Sequence, residues 1–297
     1  MLDDKKIDMK VLLIPASQSD YLQDSIYLGF KDLFGKDVES TQECSYLYKG
    51  SNFDKNRFWG YGFTYTNILD SELQNVTRES TLEKIKDNYY DIIVYTNVSR
   101  NSWMIDEVTK YTDKNKLFLV NVEDEHWRFE HLSNDICYFK RELHKITQKN
   151  IKPIFYGIHK SKLFEGSVEK TQDLSISIPS LDYCTNISSS KIIFDNEKEY
   201  YDDYRISKFG LTKKKGGWDS MRHYEILANK CVPIFENIDD CPETCLINLP
   251  KKKLSKIEKS YKKFTDEDYN EIQSELYNFT KENLTTDCLA KYILNFV

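Results

Sequence analysis

Lys208-Phe-Gly-Leu-Thr-Lys-Lys-Lys-Gly-Gly-Trp-Asp-Ser-Met-Arg-His-Tyr-Glu-Ile-Leu-Ala-Asn-Lys-Cys-Val-Pro-Ile-Phe235 is the stretch that decides the architecture. Its ends, Lys208 to Thr212 and Cys231 to Phe235, read as short buried strands, and residues 219–230 between them read as a helix. A strand, a glycine-containing loop, a helix and a second strand make one βαβ unit, which implies parallel pairing. The loop carries Lys213, Lys214 and Lys215 directly before Gly216 and Gly217. Asp219 is the expected N-cap. Amides at such a helix start favour an anion, the glycines permit close approach to the main chain, and the lysines add positive charge. At about 100° per residue, Trp218, Arg222 and Glu225 fall in one stripe, while Met221, Tyr224, Leu227 and Ala228 face the sheet. A cation one turn from the loop and a carboxylate one turn further suit a nucleoside diphosphate, Arg222 for phosphate and Glu225 for ribose hydroxyls. The plain alternative is an i,i+3 ion pair beside a solvated lysine loop. The carboxyl end of a parallel strand, where α/β ligand sites lie, favours the ligand reading.

The same grammar runs outward in both directions. Residues 10–14, 38–48, 91–95, 116–122, 136–139 and 153–158 read as strands in the N-terminal half, with helices at 20–34, 80–88 and 103–111. Ser19 or Asp20 caps the first helix, and Gly35 stops it. In the C-terminal half, residues 173–178, 191–194, 208–212, 231–235 and 245–249 read as strands, 196–205 as an acidic, Tyr-rich helix, and everything after about 251 as helices. Two such runs, joined near 158–172, predict two Rossmann-like halves. Neither a GxGxxG nor a GxxxxGK[ST] pattern occurs, so dinucleotide and P-loop fingerprints do not apply.

Composition sets the outer limits. The 297 residues are 40% hydrophobic and 30% charged, with a net charge of −6, the profile of a folded globular chain. Mild acidity argues against a dedicated nucleic-acid binder, while leaving room for a local basic pocket. No apolar run approaches the roughly 20 residues of a membrane-spanning helix, and the N-terminus lacks a signal-peptide apolar region. Seven cysteines, an odd number lying mostly in apolar stretches, suggest free thiols in a reducing cytoplasm. Cys241 and Cys245 form the one close pair. No further Cys or His follows at zinc-like spacing, so no metal is assigned there.

Residues 213–235 resemble the C-terminal nucleotide-sugar-binding motif of exostosin-like glycosyltransferases and related viral and bacterial enzymes. That motif has a Gly-x-Asp-Ser/Cys-x-Arg-x-x-Glu core followed by a small-residue helix end and Cys-x-Pro. Here it reads Gly217-Trp-Asp219-Ser220-Met-Arg222-His-Tyr-Glu225, then Ala228-Asn-Lys-Cys231-Val-Pro233. Lys230 replaces the usual glycine, a departure at the helix exit. Ser19 to Asp24 and Glu123 to His126 also look like elements of the same group. The resemblance implies a GT-B-like α/β fold, two Rossmann-like domains facing a central cleft. Residues 1–165 would form the acceptor side and 166–297 the nucleotide-sugar side with terminal helices. It implies transfer of a sugar from a UDP-linked donor to a glycan or other hydroxyl acceptor, inverting, with no metal or other cofactor required. Lys213, Lys214, Lys215, Gly216, Gly217, Trp218, Asp219, Arg222 and Glu225 would hold the donor.

An inverting transfer also needs a base within reach of the acceptor hydroxyl. Asp20, in the loop after the first strand, and Asp124 or His126, after the 116–122 strand, are the candidates, with Asp70 behind them. Each has a plain alternative, Asp20 as a helix cap and His126 as a packed neighbour of Trp127. Glu123-Asp124-Glu125 would hold a cation only if other ligands converged on it. The aromatic stretch 53–65 reads equally as a sugar-stacking acceptor subsite or as a loop folded over the core. Two other classes stay open: a non-catalytic nucleotide- or carbohydrate-binding protein on the same fold, which would lack a base, and a metal-dependent phosphatase or nucleotide hydrolase.

Overall fold

A computed structural model of the chain describes residues 9–70, 77–176 and 194–297. The buried apolar runs become parallel strands, as their lack of alternation requires. In chain order the N-terminal half comprises β1 (Val11–Ile14), α1 (Tyr21–Phe34), β2 (Val38–Ser40), α2 (Arg78–Lys86), β3 (Ile92–Tyr95), α3 (Ile105–Tyr111), β4 (Leu117–Asn121), β5 (Cys137–Lys140) and β6 (Ile151–Pro153). Its sheet has the order β2-β1-β3-β4-β5-β6, with every neighbouring pair parallel. The strand order reverses between β1 and β3, which opens a crevice at their carboxyl ends. Asp20 closes the loop after β1 and caps α1, its carboxylate accepting from the Leu22 amide.

The second half continues with β7 (Gln172–Leu174), α4 (Glu197–Ile206), β8 (Ser207–Lys213), α5 (Met221–Ala228), β9 (Val232–Glu236), α6 (Lys251–Ser260), α7 (Asp266–Asn283) and α8 (Thr286–Leu294). Strands β7, β8 and β9 form a smaller parallel sheet. One apolar cluster runs through both layers, joining Leu13, Val94 and Phe118 of the large sheet to Phe209, Val232 and Ile234 of the small one. The last helix returns to the N-terminal half and packs on α1. Gly29 makes that contact possible, since a Cβ there would lie 2.1 Å from the Thr286 carbonyl oxygen.

Several expected elements differ. The strand expected over 38–48 ends at Ser40, because Ser45–Leu47 winds into a 3₁₀ turn. The strand expected at 153–158 lies instead at Ile151–Pro153; beyond it Ile158 bridges to Thr285. Residues 245–249 form turns rather than a strand, with Leu246 at φ 49. The apolar run at 191–193 and the end of the 173–178 strand lie outside the described residues. Among the described residues no helix is long and apolar enough to cross a membrane.

Candidate active site

A cleft of about 580 Å³ opens where the carboxyl ends of both sheets meet. From the N-terminal half it receives Asp20 after β1, Arg100 after β3, Glu123 and Asp124 after β4, and Arg141 directly after β5. From the C-terminal half it receives Lys215, Gly216, Gly217, Asp219, Arg222 and Glu225. Eight of the donor-binding and base candidates named from the sequence thus share one cavity.

The loop between β8 and α5 is held from below. His223 is buried, and its Nε2 donates to the Trp218 carbonyl at 2.9 Å while Nδ1 accepts from the Thr212 hydroxyl at 2.9 Å. Burial pushes its pKa down to about 3, so the ring stays neutral and this tautomer persists. Helix α5 begins at Met221 with Ser220 as N-cap, and Ser220 makes no side-chain capping bond. Asp219 is therefore not the cap. Its Oδ2 accepts the Tyr156 amide at 2.9 Å, and its own amide donates to Glu142 at 2.8 Å. Burial, with the Glu142 charge adding to it and Arg141 opposing, pushes Asp219 up to about 7.

The helical arithmetic holds for Arg222 and Glu225, which both line the cleft, but not for Trp218, which precedes the helix. Trp218 packs beside Phe235, at 6.4 Å between ring centroids, and lies outside the cleft lining. Lys214 sits over its ring, 5.5 Å from the centroid, and Lys213 lies 3.9 Å from Glu236. Only Lys215 of the three lysines lines the cleft. Though exposed, it is crowded: the cleft walls, then the Arg222 charge, push its ammonium down to about 8.

The two glycines serve close packing between the halves. A Cβ on Gly217 would fall 2.5 Å from the Glu142 carboxyl carbon, and one on Gly216 would fall 2.2 Å from Asp124 Oδ2. Glu142 is buried and fixed by the Asp219 amide, whereas the Asp124 side chain is 45% exposed and can yield. Gly217→Ala is accordingly expected to cost about 1–3 kcal/mol in a urea titration, and Gly216→Ala distinctly less. Equal costs would contradict this packing.

Glu225 is buried, and each of its oxygens already accepts a hydroxyl, one from Thr64 and the other from Tyr200 at 2.6 Å. The acidic, Tyr-rich helix of the sequence thereby gains a role. It is α4, and Tyr200, Tyr201 and Tyr204 form the buried wall behind Glu225. The aromatic stretch 53–65 divides between its two readings. Tyr65 is core, its hydroxyl bonding the Gly157 carbonyl, whereas Trp59 is 71% exposed on the cleft rim. Phe53 and Phe58 line a second cavity of about 660 Å³, beside Ser17 to Ser19.

Among the base candidates, Asp20 keeps Oδ2 facing Arg100 at 3.6 Å, and burial raises its pKa, partly offset by Arg141 and Arg100. Asp124 is ion-paired with Arg141. His126 lies exposed, outside the cleft lining, and stacks on His144 at 4.2 Å. Asp70 is exposed and pairs with Lys49 at 2.7 Å. Among the described residues no further metal-ligating side chains gather on the acidic run 123–125; Glu123 pairs with Arg100 and Asp124 with Arg141.

Arg141 and Glu142 escaped the sequence reading. Arg141 is 4% exposed. Its Nε donates to the Val122 carbonyl at 2.9 Å and its Nη1 to the Asp219 carbonyl at 3.0 Å. Its guanidinium also lies 5.1 Å from the Tyr156 ring centroid, so one side chain ties the large sheet to the loop between β8 and α5. A signal existed. Lys140-Arg141-Glu142 is a charged triplet directly after an apolar strand, where parallel sheets place ligand groups.

No protein-family profile and no curated protein matches the sequence. By fold, the chain is similar to the crystal structure of a glycosyltransferase from Rickettsia africae ESF-5, with a TM-score of 0.54 over 97% of both chains at 14% identity. The likeness runs end to end, so the α/β architecture is one that a glycosyltransferase adopts.

Proposed function

We propose that the chain is a glycosyltransferase of GT-B-like arrangement that moves a sugar from a nucleotide-diphosphate donor, UDP-linked, to a hydroxyl of a glycan or glycoconjugate. Residues 1–165 form the acceptor side and 166–297 the donor side, with α8 reaching back onto α1. The observation that carries this reading is the single cleft with cations on its donor wall and a carboxylate of raised pKa on the opposite wall. The glycosyltransferase fold agrees with it.

Arg222, Lys215 and the first amides of α5 hold the diphosphate, and Arg141 adds positive charge from below. These cations neutralise the leaving group, so transfer proceeds without a metal. Glu225 receives the ribose hydroxyls on its remaining lone pairs, held in place by Thr64 and Tyr200. Asp20 Oδ2 takes the proton of the acceptor hydroxyl as its oxygen attacks the anomeric carbon. The diphosphate leaves from the opposite face, with inversion. Trp59 and the Phe53–Phe58 cavity bind the acceptor.

Thermal-shift and nucleotide-release assays with UDP-, GDP- and ADP-sugars in excess EDTA test the reading. A UDP-sugar at a hundredfold excess over its Kd is expected to stabilise the fold by about 2.7 kcal/mol and to release UDP. No shift with any nucleotide sugar would overturn it. Glu225→Gln is the informative donor-site variant, because Glu225→Ala strips two buried hydroxyls of their partner and destabilises the fold by about 1–3 kcal/mol. Gln is expected to weaken UDP binding at least about tenfold in calorimetry. Unchanged affinity would remove Glu225 from the donor site.

The pH dependence of kcat/KM follows from two groups. Asp20 acts only when ionised, so the acid limb rises through a pKa above the ordinary 3.8. Lys215 attracts diphosphate only when protonated, so the alkaline limb falls near 8. Lys215→Met is expected to lower activity and to remove the alkaline limb. A limb retained near 8 in that variant would assign it to another group.

A further inference from the structure

The pair Cys241 and Cys245 lacked partners at metal-binding spacing in the sequence, yet the fold supplies them to Cys245 from about a hundred residues away. Among the described residues, one group of metal-ligating side chains gathers three ligand atoms within 4.8 Å of one another: a Glu142 oxygen, a His144 ring nitrogen and Cys245 Sγ. We propose that this cluster is a binding site for a zinc-type divalent cation, structural in role and separate from sugar transfer.

The donor set is the first argument. Thiolate, imidazole and carboxylate together suit Zn²⁺ and its spectroscopic substitute Co²⁺, and do not suit Mg²⁺ or Ca²⁺, which take oxygen ligands. Geometry is the second. Cys245 Sγ lies 3.9 Å from Glu142 Oε2, and tetrahedral bond lengths place such a pair about 3.5 Å apart. Half-buried His144 can supply the remaining closure, because Glu142 and Cys245 are fixed by burial. Surroundings are the third. Glu142 Oε1 is occupied by the Asp219 amide, which leaves Oε2 aimed at the cysteine. The ring of His126 stacks flat on His144, 4.2 Å between centroids and 3° from parallel, and packs against one face of it.

The site joins the end of β5 to the turn at 241–245, which also meet through the Thr244 hydroxyl and the Cys245 thiol on the Leu143 carbonyl. A bound cation would clamp the donor-side turn to the large sheet and hold Glu142 beneath Gly217. The test is a Co²⁺ titration of the full chain, stripped with EDTA, dialysed and kept reduced. The expected result is one Co²⁺ per chain with a thiolate-to-cobalt charge-transfer band and tetrahedral visible bands, and a Tm raised by Zn²⁺. Cys245→Ser should abolish the charge-transfer band, His144→Gln should raise the Kd at least tenfold, and Cys241→Ser should keep the band. No charge-transfer band at millimolar Co²⁺ overturns the proposal, as does a band that survives Cys245→Ser or disappears in Cys241→Ser. His144→Gln is half-exposed and tolerant of replacement, so it tests the site even if Cys245→Ser folds poorly.

Discussion

Asp20→Asn is expected to lower kcat by about 10²- to 10⁴-fold, the usual contribution of a positioned base. Folding stability should change by no more than about 1 kcal/mol, because Asn caps helices as well as Asp does, and loss of the attraction to Arg100 and Arg141 is offset by no longer burying a charge. This separation answers the plain reading of Asp20. A residue that only caps α1 through its bond to the Leu22 amide would leave kcat unchanged on replacement by Asn. The carboxylate has the features a base needs. One oxygen is tied to the cap, the other faces the cleft near Arg100, and burial raises the proton affinity above that of an ordinary aspartate. The acid limb of the pH profile should vanish with the same substitution. A full-rate Asp20→Asn enzyme would move the base elsewhere, with Asp124 the next candidate.

Arg141→Met should cost about 3–5 kcal/mol in urea denaturation, the loss expected when one partner of a buried charge network is removed. The magnitude rests on what is stranded. Glu142 is 2% exposed and would lose its cationic neighbour, and the Val122 and Asp219 carbonyls would each lose a donor. Donor affinity should fall in parallel, since the Asp219 carbonyl belongs to the loop that precedes Arg222. Arg141→Lys should recover less than half of the stability, because a point charge cannot serve Val122, Asp219 and Asp124 at once. A cost below about 1 kcal/mol would show that the halves are held together by apolar packing instead.

The strands buried on both faces were legible because parallel sheets leave no polar alternation to decode: Val11–Ile14, Ile92–Tyr95 and Leu117–Asn121 are continuous apolar runs. Residues 245–249 carry the same composition and form turns. Leu246 is buried there in a left-handed conformation that tertiary packing imposes and that no local pattern announces. Arg222 and Glu225 were legible because they sit inside a helix, where spacing fixes direction. Trp218 was not, because helical spacing has no meaning three residues before the helix starts, and the cap expected at Asp219 falls one residue later, on Ser220. The lysine run looked like three equivalent ligand groups, yet strand geometry turned Lys213 to Glu236 and left Lys215 alone in the cleft. Arg141 and Glu142 were hidden by distance in sequence. Their partners at 217–219 lie more than seventy residues away, and only the meeting of two sheet ends brings them together.

The proposed donor wall of this cleft is expected to bind a nucleoside diphosphate through Arg222. Titration calorimetry of UDP into the wild-type chain and into Arg222→Met, both in EDTA, tests it most directly. Saturable one-to-one binding is predicted for the wild type, with the affinity falling about 10- to 150-fold in the variant, as loss of a charged hydrogen bond requires. Absence of binding by UDP, GDP and ADP alike, or equal affinity in the two proteins, would contradict the account.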